Sequence, residues 1–158
     1  MKISALSNKP LYPSSISVLL IGKNAPALDA IKDKLRKHTG VSIVADMATN
    51  IKDGMLKAFS LKPNCIILDD DLDNEEINRF TQEMDKDESV SETPISILKT
   101  SNYRQIVNSR IQDFMLKEGI TSDQLVRGVV NMMKYKKTNL YLYKTYKKGK
   151  TRISKLFK

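Results

Sequence analysis

The sequence predicts an α/β fold: an open parallel sheet of five strands with helices on both faces. Three observations carry this. Five short apolar runs alternate with five stretches of helical periodicity. The runs are apolar on successive residues, as strands buried on both faces are. Glycine, proline and asparagine punctuate the joins. Successive parallel strands require right-handed crossovers. A chain of 158 residues is long enough for one domain with a real core.

Residues 1–15 carry Pro10 and Pro13 and read as an N-terminal extension. Residues 16–21 form the first strand, followed by a turn at Gly22, Lys23 and Asn24. Pro26 suits the first turn of a helix, which places Leu28, Ile31 and Leu35 on one face and ends at Thr39 and Gly40. Residues 41–45 are expected as the second strand. Asn50 caps a helix bearing Ile51, Met55, Ala58 and Phe59, which Lys62, Pro63 and Asn64 break. Residues 65–68 form the third strand and run into a cluster of aspartates. A helix bearing Ile77, Phe80 and Met84 follows, then a polar loop over 85–93. Pro94 introduces the fourth strand, 95–98. A weaker helical pattern covers about 102–111, and 113–116 is a short fifth strand. Thr121 and Gln124 have the spacing of a capping box and open a helix carrying Leu125, Val129, Met132 and Met133.

Composition narrows the function classes. Hydrophobic residues make up 41% and charged residues 28%, close to ordinary globular proteins. No apolar run reaches the roughly 18 residues needed to cross a bilayer, and the N-terminus lacks the pattern of a secretory signal. A cytoplasmic location is expected. The single cysteine, Cys65, lies in an apolar strand and reads as core. With His38 as the one histidine, a zinc site of the usual kind is excluded. His38 itself suits a structural place near a helix end.

In an open parallel sheet the functional crevice lies at the carboxyl ends of the strands. The groups to inspect are therefore Gly22 and Lys23, Asp69 to Asp71, Lys99 and Thr100, and Lys117 and Glu118. Aspartates at 69, 71 and 73 have the early spacing of a calcium loop. Asn74 replaces its glycine, Phe80 its glutamate, and a strand precedes it, so that reading fails.

At these strand ends the chain resembles the response-regulator receiver domains of two-component signalling, over about residues 16–133. The run from Lys62 through Pro63 and Asn64 to Asp69 is similar to the family's strand leading to its phospho-accepting aspartate. Thr93 and Pro94 with 95–98 resemble the proline-led fourth strand, and 113–117 the fifth strand with its lysine. The resemblance implies a flavodoxin-like, doubly wound fold with strand order 2-1-3-4-5. It implies Asp69 as phospho-acceptor, Lys117 as the conserved-type lysine and Phe114 as the switch aromatic, for which plain core filling is the alternative. The family's switch runs through the face made by its fourth helix, fifth strand and fifth helix. That face would also serve a homodimer.

The departures are informative. The acidic pair that follows the family's first strand is Gly22 and Lys23 here. The hydroxyl residue after the fourth strand is Lys99, with Thr100 one step on, and the proline after the lysine is Glu118. Phosphoryl transfer to a carboxylate develops charge that a divalent cation normally neutralises, and Mg²⁺ commonly takes one or two carboxylates. Mg²⁺ binding is therefore expected to be weak or absent, with no cofactor and no enzymatic activity. Lys23, Lys99 and Lys117 are expected to converge on Asp69 as a substitute for the ion. The alternative has Lys23 and Lys99 pointing to solvent.

The net charge of +9 is uneven. Residues 1–133 hold 17 Lys/Arg against 18 Asp/Glu, whereas 134–158 hold 10 Lys/Arg and no acid. This tail sets Lys136, Lys137, Lys144, Lys147, Lys148, Lys150 and Arg152 among tyrosines, a composition that can meet phosphates and stack on bases. It could also dock on the acidic stretch 69–92, which holds eleven acids against Arg79 and Lys86, while a membrane target is disfavoured. The leading expectation is an atypical receiver that signals by contact with a histidine kinase or an effector. The alternatives are a working phospho-acceptor at Asp69, and a nucleic-acid-binding regulator that uses the tail and dimerises through the receiver fold.

Overall fold

The computed structural model describes residues 15–100, 108 and 110–134. The elements are β1 (Ile16–Ile21), α1 (Ala25–Arg36), β2 (Ile43–Ala48), α2 (Ile51–Leu61), β3 (Cys65–Asp69), α3 (Asn74–Asp85), β4 (Ile95–Lys99), β5 (Ile111–Leu116) and a last helix, α4, over 122–134. The five strands form one sheet, all pairs parallel, in the order β2-β1-β3-β4-β5. This is the flavodoxin-like order, and it makes β3 the central strand.

Helices cover both faces, and each face has its own core. On one side Val18 and Leu20 of β1 pack with Leu28, Ile31 and Leu35 of α1 and Leu125, Val129 and Met132 of α4. On the other, Leu19, Ile21, Ile66, Leu68 and Ile97 pack with Ala58 of α2 and Ile77, Phe80 and Met84 of α3. Neighbouring residues of β1 and β3 thus serve opposite faces. Their continuous apolar sequence is the consequence. Cys65 is buried as expected.

The helix caps follow the local sequence. Asn24 accepts from the Ala27 N–H and Asn50 from the Asp53 N–H. Lys62 ends α2 at φ 47°, in the left-handed region. Asp73 and Glu76 form a full capping box at α3, and Thr121 and Gln124 form another, with bonds of 3.0 and 3.1 Å. His38 joins the end of α1 to Asp123 at 3.1 Å.

Three expectations shift. β2 is Ile43–Ala48 rather than 41–45. It runs through the polar Asp46 because β2 is an edge strand, where Asp46 is half-exposed and meets Lys57 at 3.3 Å. β5 begins at Ile111 rather than 113, since Ile95 pairs with Ile111 before an irregularity brings Ser96 opposite Asp113. The helix expected over 102–111 lies mostly outside the described residues. Its end is not helical: Asn108 accepts from the Arg110 N–H at 2.9 Å, and Ile111 is already strand. Arg110 then ties β5 to the end of α3 through Asp85 at 2.8 Å and to the Thr93 carbonyl at 2.7 Å. The extension 1–14 and tail residues 135–158, including every lysine and arginine named there, also lie outside the described residues. No helix among the described residues is long and apolar enough to cross a membrane.

Candidate functional site

Parallel strands bring all their carboxyl ends to one edge, and β3, at the centre, ends in Asp69. Its carboxyl is 1% exposed. Oδ2 meets the Lys117 ammonium, just beyond β5, at 2.6 Å. Oδ1 accepts from the Asp71 backbone N–H at 3.1 Å. Burial pushes the Asp69 carboxyl above the ordinary aspartate range. The Lys117 and Asp71 N–H bonds oppose that rise, and the Asp71 charge adds to it.

The next two aspartates turn to other strands. Asp70, 4% exposed, accepts both donors of Thr100: the backbone N–H at 2.7 Å on Oδ2 and the hydroxyl at 2.7 Å on Oδ1. Asp71 reaches across to the turn after β1. It accepts from the Lys23 N–H at 3.0 Å on either oxygen and from the Asn24 N–H at 3.2 Å. Three consecutive aspartates at the end of the central strand therefore grip three different strand ends: β5 through Lys117, β4 through Thr100 and β1 through Lys23 and Asn24.

This geometry explains Gly22. A Cβ there would stand 2.8 Å from Asp69 Cβ, 3.2 Å from Asp71 Oδ1 and 3.2 Å from Leu28 Cδ2. The end of β1 has no acid, and the space beside it is taken by one delivered from β3. The sequence marks Asp70 and Asp71 as strand-end groups but does not reveal their partners, Thr100 and the turn after β1. The available signal was the conjunction of a glycine ending β1 with three aspartates ending β3.

Of the lysines expected to converge, only Lys117 reaches Asp69. Lys23 is half-exposed, and its ammonium binds Glu76 at 2.8 Å. The expectation failed because α3 begins close by and offers the carboxylate of its own capping box. The Glu76 bond holds the Lys23 ammonium above its ordinary value. Lys99 also turns away, its ammonium 5.0 Å from the centroid of the Phe114 ring. Phe114 is 44% exposed, so it is not core filling. Thr100 lies at the site but is committed to Asp70 rather than to Asp69.

The fold's resemblance raises the question of a divalent cation, and the donor set does not suit one. Among the described residues, no group of three or more His, Cys, Asp or Glu is placed to hold a metal ion. Asp70 and Asp71 aim their oxygens at N–H and O–H donors, and both Asp69 oxygens are engaged. An entering Mg²⁺, which prefers near-octahedral oxygen coordination, would compete with these donors for the same carboxylate oxygens.

Compared with known proteins, the chain matches no protein-family model and no curated protein. Solved structures do match. A response regulator from Desulfuromonas acetoxidans superposes with a TM-score of 0.61 at 17% identity, covering 76% of this chain and 98% of that one. The chemotaxis response regulator CheY4 of Vibrio cholerae gives 0.62 at 15% identity, covering 75% and 98%. The response regulator domain of Thermotoga maritima CheB gives 0.59 at 20% identity, covering 76% and 97%. The chain therefore has the receiver, CheY-like fold. At such identities the likeness speaks to architecture, and what the chain does has to be argued from its own site.

Proposed function

We propose that the chain is an atypical receiver in two-component signal transduction, working in the cytoplasm by protein contact. Mg²⁺-dependent phosphorylation is weak or absent, and the domain turns over no substrate of its own. One observation carries the reading. Asp69 stands where the receiver resemblance puts the acceptor, yet it is buried, and the acids beside it bind the neighbouring loops rather than facing a common metal position. Its partners are then a histidine kinase, an effector, or a second copy meeting it through β5 and the elements beside it.

The contact between Lys117 and Asp69 favours a second reading, a working phospho-acceptor at Asp69 with poor metal dependence. Incubation with a small acyl-phosphate donor, with and without Mg²⁺, separates the two. Intact mass should show no phosphoryl gain under either condition. A substantial gain mapped to Asp69, with or without Mg²⁺, would establish the second reading instead. A mobility shift of generic DNA that depends on residues 134–158 would point to the nucleic-acid reading.

A further inference from the structure

Thr100 offers two donors side by side at the rim of the site, its backbone N–H and its hydroxyl, and Thr100 itself is exposed. Paired N–H and O–H donors that converge on two oxygens of one anion form a binding position for an oxyanion. Here the anion is part of the chain. Asp70 supplies one oxygen to each donor, both at 2.7 Å, while its own side chain is buried. The same arrangement recurs on the opposite flank, where the N–H groups of Lys23 and Asn24 converge on the Asp71 carboxylate. The carboxylates that fill these two donor sets follow Asp69 directly in the chain, and Asp69 itself accepts from the Asp71 N–H and from Lys117.

We propose that Asp70 is an internal ligand: its carboxylate fills an oxyanion position built by Thr100 beside Asp69, and removing it opens that position to a tetrahedral oxyanion such as inorganic phosphate. Asp70 competes with any external anion for the Thr100 donors. A tethered carboxylate has a high effective concentration at the donors. It also adds a negative charge next to Asp69 and Asp71, which repels an incoming anion. Truncating it removes both obstacles at once. The inference rests on the proposed receiver reading only for the class of ligand.

The test is a titration of the full chain with inorganic phosphate at constant ionic strength and without metal, followed at the Thr100 amide by ¹⁵N NMR. A residue-specific signal ignores phosphate held elsewhere by lysines. In the wild type the Thr100 amide should barely respond. In Asp70→Ala it should shift saturably, with affinity raised about tenfold or more, the scale of one lost charge-assisted bond. Asp70→Asn keeps the shape and one acceptor but loses the charge, so it should fall between the two. A folded Asp70→Ala whose Thr100 amide ignores phosphate would overturn the proposal. So would a wild type that responds as strongly as the variant. If Asp70→Ala does not fold, Asp70→Asn decides: a shift beyond wild type supports the proposal, and none removes it. Because neither metal nor phosphodonor is present, failure here is separate from phosphoryl uptake by the wild type, which would instead refute the proposed function.

Discussion

The two margins of the carboxyl edge solve the same problem differently. On the β5 side a lysine side chain enters the site, and Lys117 puts its ammonium 2.6 Å from Asp69. On the β1 side a lysine also stands at the strand end, yet its ammonium leaves for Glu76, and the backbone N–H groups of the turn bind Asp71 instead. The comparison teaches that a charge near a site in sequence need not be a charge in the site. Lys117 has Asp69 as its carboxylate partner, whereas Lys23 has a rival one turn into α3.

The sharpest way to break this comparison is to restore an acid at the end of β1. Gly22→Asp would force a Cβ against Asp69 Cβ and add another negative charge to the cluster of Asp69, Asp70 and Asp71. A loss of about 2–3 kcal/mol is expected by chemical denaturation. Unchanged stability would mean that Asp71 does not fill the space described.

Lys117→Met comes next. It leaves the buried Asp69 without its cation, which should cost about 1–2 kcal/mol and drive the Asp69 carboxyl further above the ordinary range. An NMR pH titration of Asp69 checks the direction.

The pH dependence of Asp69 is a smaller effect with a definite sign. Its folded value is raised, so on acidification the folded state takes up this proton before the unfolded state does. Stability from this group therefore falls as pH rises through the folded value, and it returns as pH drops toward the ordinary aspartate value. The stability of wild type minus that of Asp69→Asn should improve from neutral pH toward that value. Asp73 and Asp87 are held below their ordinary values by hydrogen bonds and lose stabilisation on acidification. Both proteins carry them, so they cancel in the difference. The smallest effect is expected for Lys23→Ala, whose ion pair is solvent-exposed: the unfolding midpoint should not move measurably. A loss matching that of Lys117→Met would erase the contrast between the margins.

Much of the fold was legible because its signals are local. The caps at Asn50 and Thr121 depend on residues three apart, and the strands on runs of apolar side chains. The contact between Asp69 and Lys117 was legible through the resemblance and the strand-end rule. The ends of β2 and β5 were not, because Asp46 is tolerated only at a sheet edge and Ile111 is recruited by its pairing with Ile95. The roles of Asp70 and Asp71 were hidden for a deeper reason. Each depends on the separation between strand ends 30 to 48 residues apart in sequence, which no local pattern encodes.

The central claim is that carboxylates of the chain itself, and not a divalent cation, hold this edge together. A Mg²⁺ titration followed at the backbone amides of Lys23, Asn24 and residues 69–71 tests it most directly. The account predicts no saturable shift at millimolar Mg²⁺. Saturable movement of those amides, with the Lys23 and Asn24 N–H groups released from Asp71, would contradict it.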